Sequence, residues 1–367
     1  MACTPEERRQ LRAGCDLILH GFAERTPAQE FGDMAAWCER NEITHDEYGE
    51  GALVEGFERK VAALLGKEAA VFMPSGIMAQ SVALKVWTEI ARLPRFGMHP
   101  TAHLAVHEEE AHAALLQCHG VLLGDRLRPL SAQDLGASLQ PMACVIVELP
   151  IREAGGQLPT WDALEALKEA ARQRGLPLHM DGARLWECAA FYGKTHAEIA
   201  AGFESVYVSL YKGIGAWSGA VLAGGKDFIA QARLWRRRHG GTLYHLSPMV
   251  VSAAMRFDER LALMPALYRR TLELASDLAS HGALRVNPAV PQTNMLHLYF
   301  AAPVEAMADA RDRIAAEDRC WLVGGLRAAE VPGWCMAEIY VGDRLLQADP
   351  DRVRRNFARL QAILASR

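Results

Sequence analysis

The sequence predicts an α/β protein, with a large domain on a mainly parallel sheet followed by a smaller α+β C-terminal domain. Three observations carry this expectation. From about residue 46 to 245, helical and strand-like segments alternate, which implies parallel strands joined by crossover helices. Beyond about 250 the pattern becomes helix, short strands and helix. The 367 residues are half hydrophobic, enough for about two domains of roughly 150 residues each. The expected division is an N-terminal arm over 1–45, a large domain over 46–245 and a small domain over 246–367.

Taken in order, residues 1 to about 45 read as an arm with one or two helices. Ala69-Ala-Val-Phe-Met73 reads as a strand, followed by Pro74-Ser75-Gly76 and a long apolar run from Ile77 to Leu93. Small residues opening a helix leave backbone N–H groups and the positive end of its dipole facing outward, which suits a phosphate. Ser75 can add a hydroxyl donor to the N–H groups of Gly76 and Ile77, or it can simply cap the helix. Thr160 is a plausible N-cap for a second helix. Apolar residues recur at helical spacing from Ala163 to Arg174, and Gly175 fits the stop. Leu176-Pro-Leu-His-Met180 then reads as the strand delivering Asp181. Val206-Tyr-Val-Ser-Leu210 reads as the strand delivering Lys212 into a glycine-rich turn. Farther on, Asn294 to Phe300 and Ala337 to Val341 are candidate strands. A terminal helix starts at Asp349, with Pro350 at its first position, and runs to about Ser366.

The chemistry concentrates in His179-Met-Asp-Gly-Ala-Arg184 and Ser209-Leu-Tyr-Lys-Gly-Ile-Gly215. Ligands of open α/β sheets bind beyond the carboxyl ends of the strands. There a lysine amine can hold a carbonyl-bearing cofactor as a Schiff base, and an aspartate can pair with its pyridinium nitrogen. Arg184 can grip a substrate carboxylate through two parallel hydrogen bonds, or steady the strand end as an ion pair. Ser209 and Tyr211 flank the lysine, and either hydroxyl can reach a phosphate or serve packing alone. A solvated lysine and a capping aspartate are the plainer readings of each residue by itself. Strand–Ser-Gly–helix, strand–Asp-Gly-Ala-Arg and strand–Lys-Gly, in that order, point instead to a pyridoxal-phosphate site.

On His179-Met-Asp-Gly-Ala-Arg184 and Lys212-Gly-Ile-Gly-Ala216 the chain resembles the threonine aldolase and β-eliminating lyase family of fold-type I pyridoxal-phosphate enzymes. Supporting matches are Asp46-Glu-Tyr48-Gly49-Glu50, the run from Leu65 to Ala79, Glu110-Ala-His112, Ala154-Gly-Gly156 and Gln292-Thr293-Asn294. The resemblance covers roughly residues 45 to 300. It implies pyridoxal 5'-phosphate as cofactor, held by Lys212, with Asp181 on the ring nitrogen and His112 stacked on the ring. It places Ser75, Gly76, Ile77 and Ser209 around the cofactor and Arg184 on the substrate carboxylate. The implied reaction cleaves the Cα–Cβ bond of a β-hydroxy amino acid to glycine and an aldehyde. Tyr48 matches the family's aromatic contribution to the pocket from a neighbouring subunit, so a homodimer or homotetramer with shared active sites is implied. A core or interface tyrosine is the plainer alternative.

The substrate half departs from that pattern. Where the family carries Glu-Asn-Thr-His, this chain has Glu148-Leu149-Pro150-Ile151, so a second imidazole is missing. The family's C-terminal carboxylate arginine falls near Trp334, and its Arg-Ser-Asp-Thr is not evident around Gly21 to Pro27. These changes leave room for a different β-hydroxy amino acid, for β-elimination or other amino-acid chemistry on the same scaffold, or for a silent cofactor-binding protein.

Other classes are disfavoured. A net charge of −4 argues against nucleic acid. The eight cysteines are scattered with no Cys-x-x-Cys pair, so reduced thiols are expected rather than disulfides or zinc. Gly213-Ile-Gly-Ala-Trp-Ser-Gly219 is one residue too long for a dinucleotide fingerprint, and the histidines of His107-Glu-Glu-Glu-Ala-His112 are not spaced for a zinc helix. No metal is expected. A charged N-terminus and the lack of any run of membrane-spanning length suggest a cytoplasmic protein.

Overall fold

Alternating apolar runs between residues 69 and 224 assemble into one seven-stranded sheet in a computed structural model, which describes residues 3–279, 282 and 284–366. Met1 and Ala2 of the expected arm, and Ser280, His281, Ala283 and Arg367 of the expected small domain, lie outside the described residues. The strands are β1 (Ala69–Met73), β2 (Arg95–Met98), β3 (His119–Leu122), β4 (Val145–Glu148), β5 (Leu178–Gly182), β6 (Ser205–Ser209) and β7 (Ala220–Gly224). Their order is β1-β7-β6-β5-β4-β2-β3. β7 runs antiparallel to both its neighbours, and the other pairings are parallel. The expected mainly parallel sheet is therefore present, with one strand reversed. Strands β4 to β7 are buried along their whole length, as the central strands of a sheet covered on both faces must be.

Helix α1 (Gly76–Ala91) lies across β6 and β7. Its Ala79, Val82, Ala83 and Val86 join Val71, Phe96, Met98 and Leu222 of the sheet in one apolar cluster. Helix α2 (Trp161–Gln173) begins where Thr160 accepts a hydrogen bond from the Ala163 N–H, and Gly175 follows it in the left-handed region at φ +59°. One boundary differs from expectation. β5 extends through Gly182, so Asp181 sits inside the strand, in register with Glu148 on one side and Tyr207 on the other. The glycine after it is required, because a Cβ on Gly182 would lie 2.7 Å from the Tyr207 carbonyl oxygen.

This sheet belongs to a compact unit formed by residues 25–153 and 158–262; residues 1–24, 154–157 and 263–367 form a second unit. The segment read as a single arm thus divides at residue 24. In the second unit the arm helix Pro5–Ala13 is joined to the rest by Arg8 Nε donating to Asp312 at 2.8 Å. In the first unit the helix Pro27–Arg40 is held by a Glu30–Arg256 ion pair at 2.9 Å. A second expected boundary, at 245, falls instead at 262, inside the helix Phe257–Ala279.

The second unit contains β8 (Leu284–Asn287), β9 (Met295–Phe300), β10 (Arg327–Ala328) and β11 (Cys335–Tyr340), antiparallel in the order β10-β11-β9-β8. The terminal helix, Pro350–Ala365, has Asp349 as its N-cap and packs on the helix Val304–Asp318. Half-buried Trp334 lies in the turn joining β10 and β11. Gly155 and Gly156 also belong here, at φ +80° and +76°. A Cβ on Gly155 would collide with the Asn287 carbonyl, and one on Gly156 would lie 2.6 Å from Thr293 Oγ1. Gly155 therefore packs against Asn287 and Gly156 against Thr293. All eight cysteines are free thiols, five of them buried. No helix among the described residues is long and apolar enough to cross a membrane.

Candidate active site

Glu148, Asp181 and Tyr207 stand abreast in β4, β5 and β6, and in-register residues of parallel strands share a face. Asp181 is buried, and its Oδ1 accepts the Ala183 N–H at 3.1 Å, which turns the chain toward Arg184. The next turn is pinned to the lysine's strand, because the Trp186 indole N–H donates to the Ser209 carbonyl at 2.9 Å. Lys212 occupies the loop between β6 and β7, closed by Leu210 N–H to Gly219 at 3.1 Å and Ala216 N–H to Leu210 at 2.9 Å. Gly219, at φ +103°, sits where any Cβ would strike Phe72.

Lys212 is half-buried, and that burial, reinforced by the positive charge of Arg184, lowers its pKa to about 8. Asp181 and Glu148 act in the opposite direction but do not prevail. A useful fraction of neutral amine, the nucleophilic form, therefore exists near neutral pH. Arg184 forms no ion pair among the described residues, and its Nε is buried without a partner. The strand-steadying ion pair considered from the sequence is thus not formed among the described residues. His112 is half-buried rather than on the surface. Its ring meets Phe96 edge-on at 5.4 Å, and burial pushes its pKa down, so the imidazole is neutral.

The phosphate end takes shape at α1. Ser75 Oγ accepts the Met78 N–H at 3.2 Å, so the serine caps the helix. The first backbone bond of this turn is Ala79 N–H to the Ser75 carbonyl, so Gly76 and Ile77 precede any intrahelical acceptor. Ser209 is fully buried, and its hydroxyl has no partner. An orphaned buried hydroxyl typically costs about 1–3 kcal/mol, so it marks a place for a ligand acceptor. A nucleophilic lysine, a buried aspartate, a flat neutral imidazole and a helix terminus with an orphan hydroxyl together fit a phosphorylated pyridine aldehyde.

Tyr48 is exposed, at φ +54°, and its ring meets Tyr244 edge-on at 5.2 Å. Asp46 locks this turn by accepting the N–H groups of Gly49, Leu246 and Ser247. Two residues that the sequence reading gave no role belong to the site. Tyr207 had a signal, since it alternates with Ser209 along one strand. Glu148 had only its place as the glutamate retained at the head of a stretch that otherwise departs from the family pattern. Its carboxyl is buried beside Asp181, and burial followed by that neighbouring charge pushes its pKa up. A carboxyl raised in the folded state favours folding at acid pH, and this contribution is lost as pH rises through the folded pKa. Glu148→Gln should therefore raise the melting temperature of the cofactor-free protein at pH 8–9 and not at pH 4. A variant melting lower at both values would refute the assignment.

Residues 26–301 match the family model for beta-eliminating lyases. The chain is 36% identical to a protein from Listeria monocytogenes assigned as an L-allo-threonine aldolase, over 97% of this chain and 99% of that one, with a TM-score of 0.91. It is also 36% identical to an Exiguobacterium protein assigned as an aromatic amino acid beta-eliminating lyase/threonine aldolase, over 96% and 99% of the two chains, again at a TM-score of 0.91. Low-specificity L-threonine aldolase 1 of Arabidopsis thaliana is 26% identical over 267 residues, 70% of this chain and 74% of that protein. Matching along nearly its whole length, in sequence and in fold, the chain belongs to the beta-eliminating lyase family.

Proposed function

We infer that this chain is a pyridoxal-phosphate-dependent aldehyde-lyase of the threonine aldolase type, cleaving a β-hydroxy amino acid between Cα and Cβ to glycine and an aldehyde. The observation that carries this reading is the half-buried, pKa-lowered Lys212 beside buried Asp181 and an unpaired Arg184. When bound, pyridoxal phosphate supplies the electron sink that makes bond cleavage at an amino-acid α-carbon feasible. The protein's own residues do the rest. Lys212 Nζ holds the cofactor, and Asp181 keeps a proton on the pyridine nitrogen. His112 offers a flat face to the ring, Arg184 orients the substrate carboxylate, and Ser209 of β6 faces the phosphate with Gly76 and Ile77 of α1, the helix that Ser75 caps.

A homo-oligomer is supported by the exposed aromatics Tyr48 and Tyr244, and a cytoplasmic location by the free thiols.

β-Elimination on the same residues is the second reading, favoured by what the Exiguobacterium relative is assigned as. Incubation with threonine, allo-threonine, phenylserine and serine separates the two by product. Glycine and an aldehyde support the lyase reading, whereas ammonia and a keto acid overturn it. In the same assay Arg184→Lys should raise KM by about ten- to a hundredfold, the usual consequence of losing a charge-assisted hydrogen bond. An unchanged KM would remove Arg184 from substrate binding.

A further inference from the structure

Gly76, the first residue of α1, is buried, and the space over its α-carbon is taken by two phenols. A Cβ there would collide with the Tyr207 hydroxyl, 2.8 Å from that residue's Cζ, and would lie 3.1 Å from the Tyr211 hydroxyl. The two tyrosines arrive differently. Tyr207 rises from β6 in register with Asp181, and it is fully covered at 3% exposure. Tyr211 comes from the lysine loop, half open at 39% exposure, with Lys212 Nζ 5.7 Å from its ring. Ser209 lies between them in sequence, on the Tyr207 face of the strand by alternation, with its buried hydroxyl unpartnered.

Each phenol carries one O–H and both oxygens converge on the space over Gly76, so even where one phenol donates to the other, one O–H remains for a further acceptor. Burial, followed by the nearby Asp181 charge, holds the Tyr207 phenol in its protonated form. Both oxygens stand at the positive end of α1, where the Gly76 and Ile77 N–H groups have no acceptor inside the helix. An acceptor that meets all of these donors together is a compact oxyanion.

We propose that the hydroxyls of Tyr207 and Tyr211, converging on Gly76 beside the orphan hydroxyl of Ser209, form a clamp for the phosphate of pyridoxal phosphate. The clamp makes these tyrosines determinants of cofactor choice, separating the phosphorylated aldehyde from its unphosphorylated form. This rests on the cofactor assignment above, and its test is built to fail separately.

The cofactor-free full-length enzyme is titrated with pyridoxal phosphate and with pyridoxal, following visible absorbance, and inorganic phosphate is added as a competitor. Tyr207→Phe should weaken pyridoxal phosphate binding about tenfold or more, as expected for a lost hydrogen bond to a charged group. Pyridoxal binding should stay within about twofold, and inorganic phosphate should compete less well. Tyr211→Phe, at a half-open position that does not threaten the core, should show the same selective loss. Equal weakening of both aldehydes, or no change in either variant, overturns the clamp while leaving the cofactor assignment intact. Failure of the wild-type protein to bind pyridoxal phosphate at all overturns both.

Discussion

Lys212→Ala should abolish covalent capture of pyridoxal phosphate and lower turnover by at least about 10²–10⁴-fold, the scale associated with a positioned proton-transfer group. Borohydride reduction of the wild-type protein should leave the pyridoxyl group on a peptide containing Lys212, and a different modified lysine would sink the assignment. The lowered pKa adds a second arm. Only the neutral amine captures an aldehyde, so the rate of incorporation should climb through about pH 8 rather than near the ordinary value of 10.5. Arg184 is one cause of that lowering. Its removal in Arg184→Gln must raise the lysine pKa and shift the incorporation profile to higher pH. A profile unmoved by the substitution would mean that burial alone sets the value.

Asp181→Asn should keep the fold and part of the cofactor affinity while losing most turnover. A carboxylate beside a cation typically favours the charged form by about 1–3 pKa units, so the amide should cost on the order of 10–10³-fold in the fraction of protonated ring. The swap is nearly isosteric, and the carbonyl oxygen of asparagine can still accept the Ala183 N–H that Asp181 Oδ1 holds at 3.1 Å. A displaced absorption maximum with slow turnover is the expected outcome. Near-normal turnover would take Asp181 out of the mechanism.

Both residues are proposed from the sequence on a short local pattern, an apolar strand and then a glycine, and for Gly182 the fold supplies the reason in close packing on Tyr207. The same holds for α1, α2 and the terminal helix, whose caps at Ser75, Thr160 and Asp349 are local hydrogen bonds that sequence spacing reveals. Pairing across the chain is not local, and there the tertiary structure decided. Glu148 and Asp181 are far apart in sequence, yet strand register sets them side by side, and that neighbour joins burial in raising the Glu148 pKa. Ala154-Gly-Gly156 and Gln292-Thr293-Asn294 read as two separate family matches, and the fold sets Gly156 of one against Thr293 of the other. The arm divides at residue 24 because its halves bury against different partners, Asp312 for one helix and Arg256 for the other. Tyr207 shows the division within one side chain. Its strand was plain from alternation, but only the fold brings its hydroxyl to Gly76, because reach between elements depends on register and packing rather than on spacing along the chain.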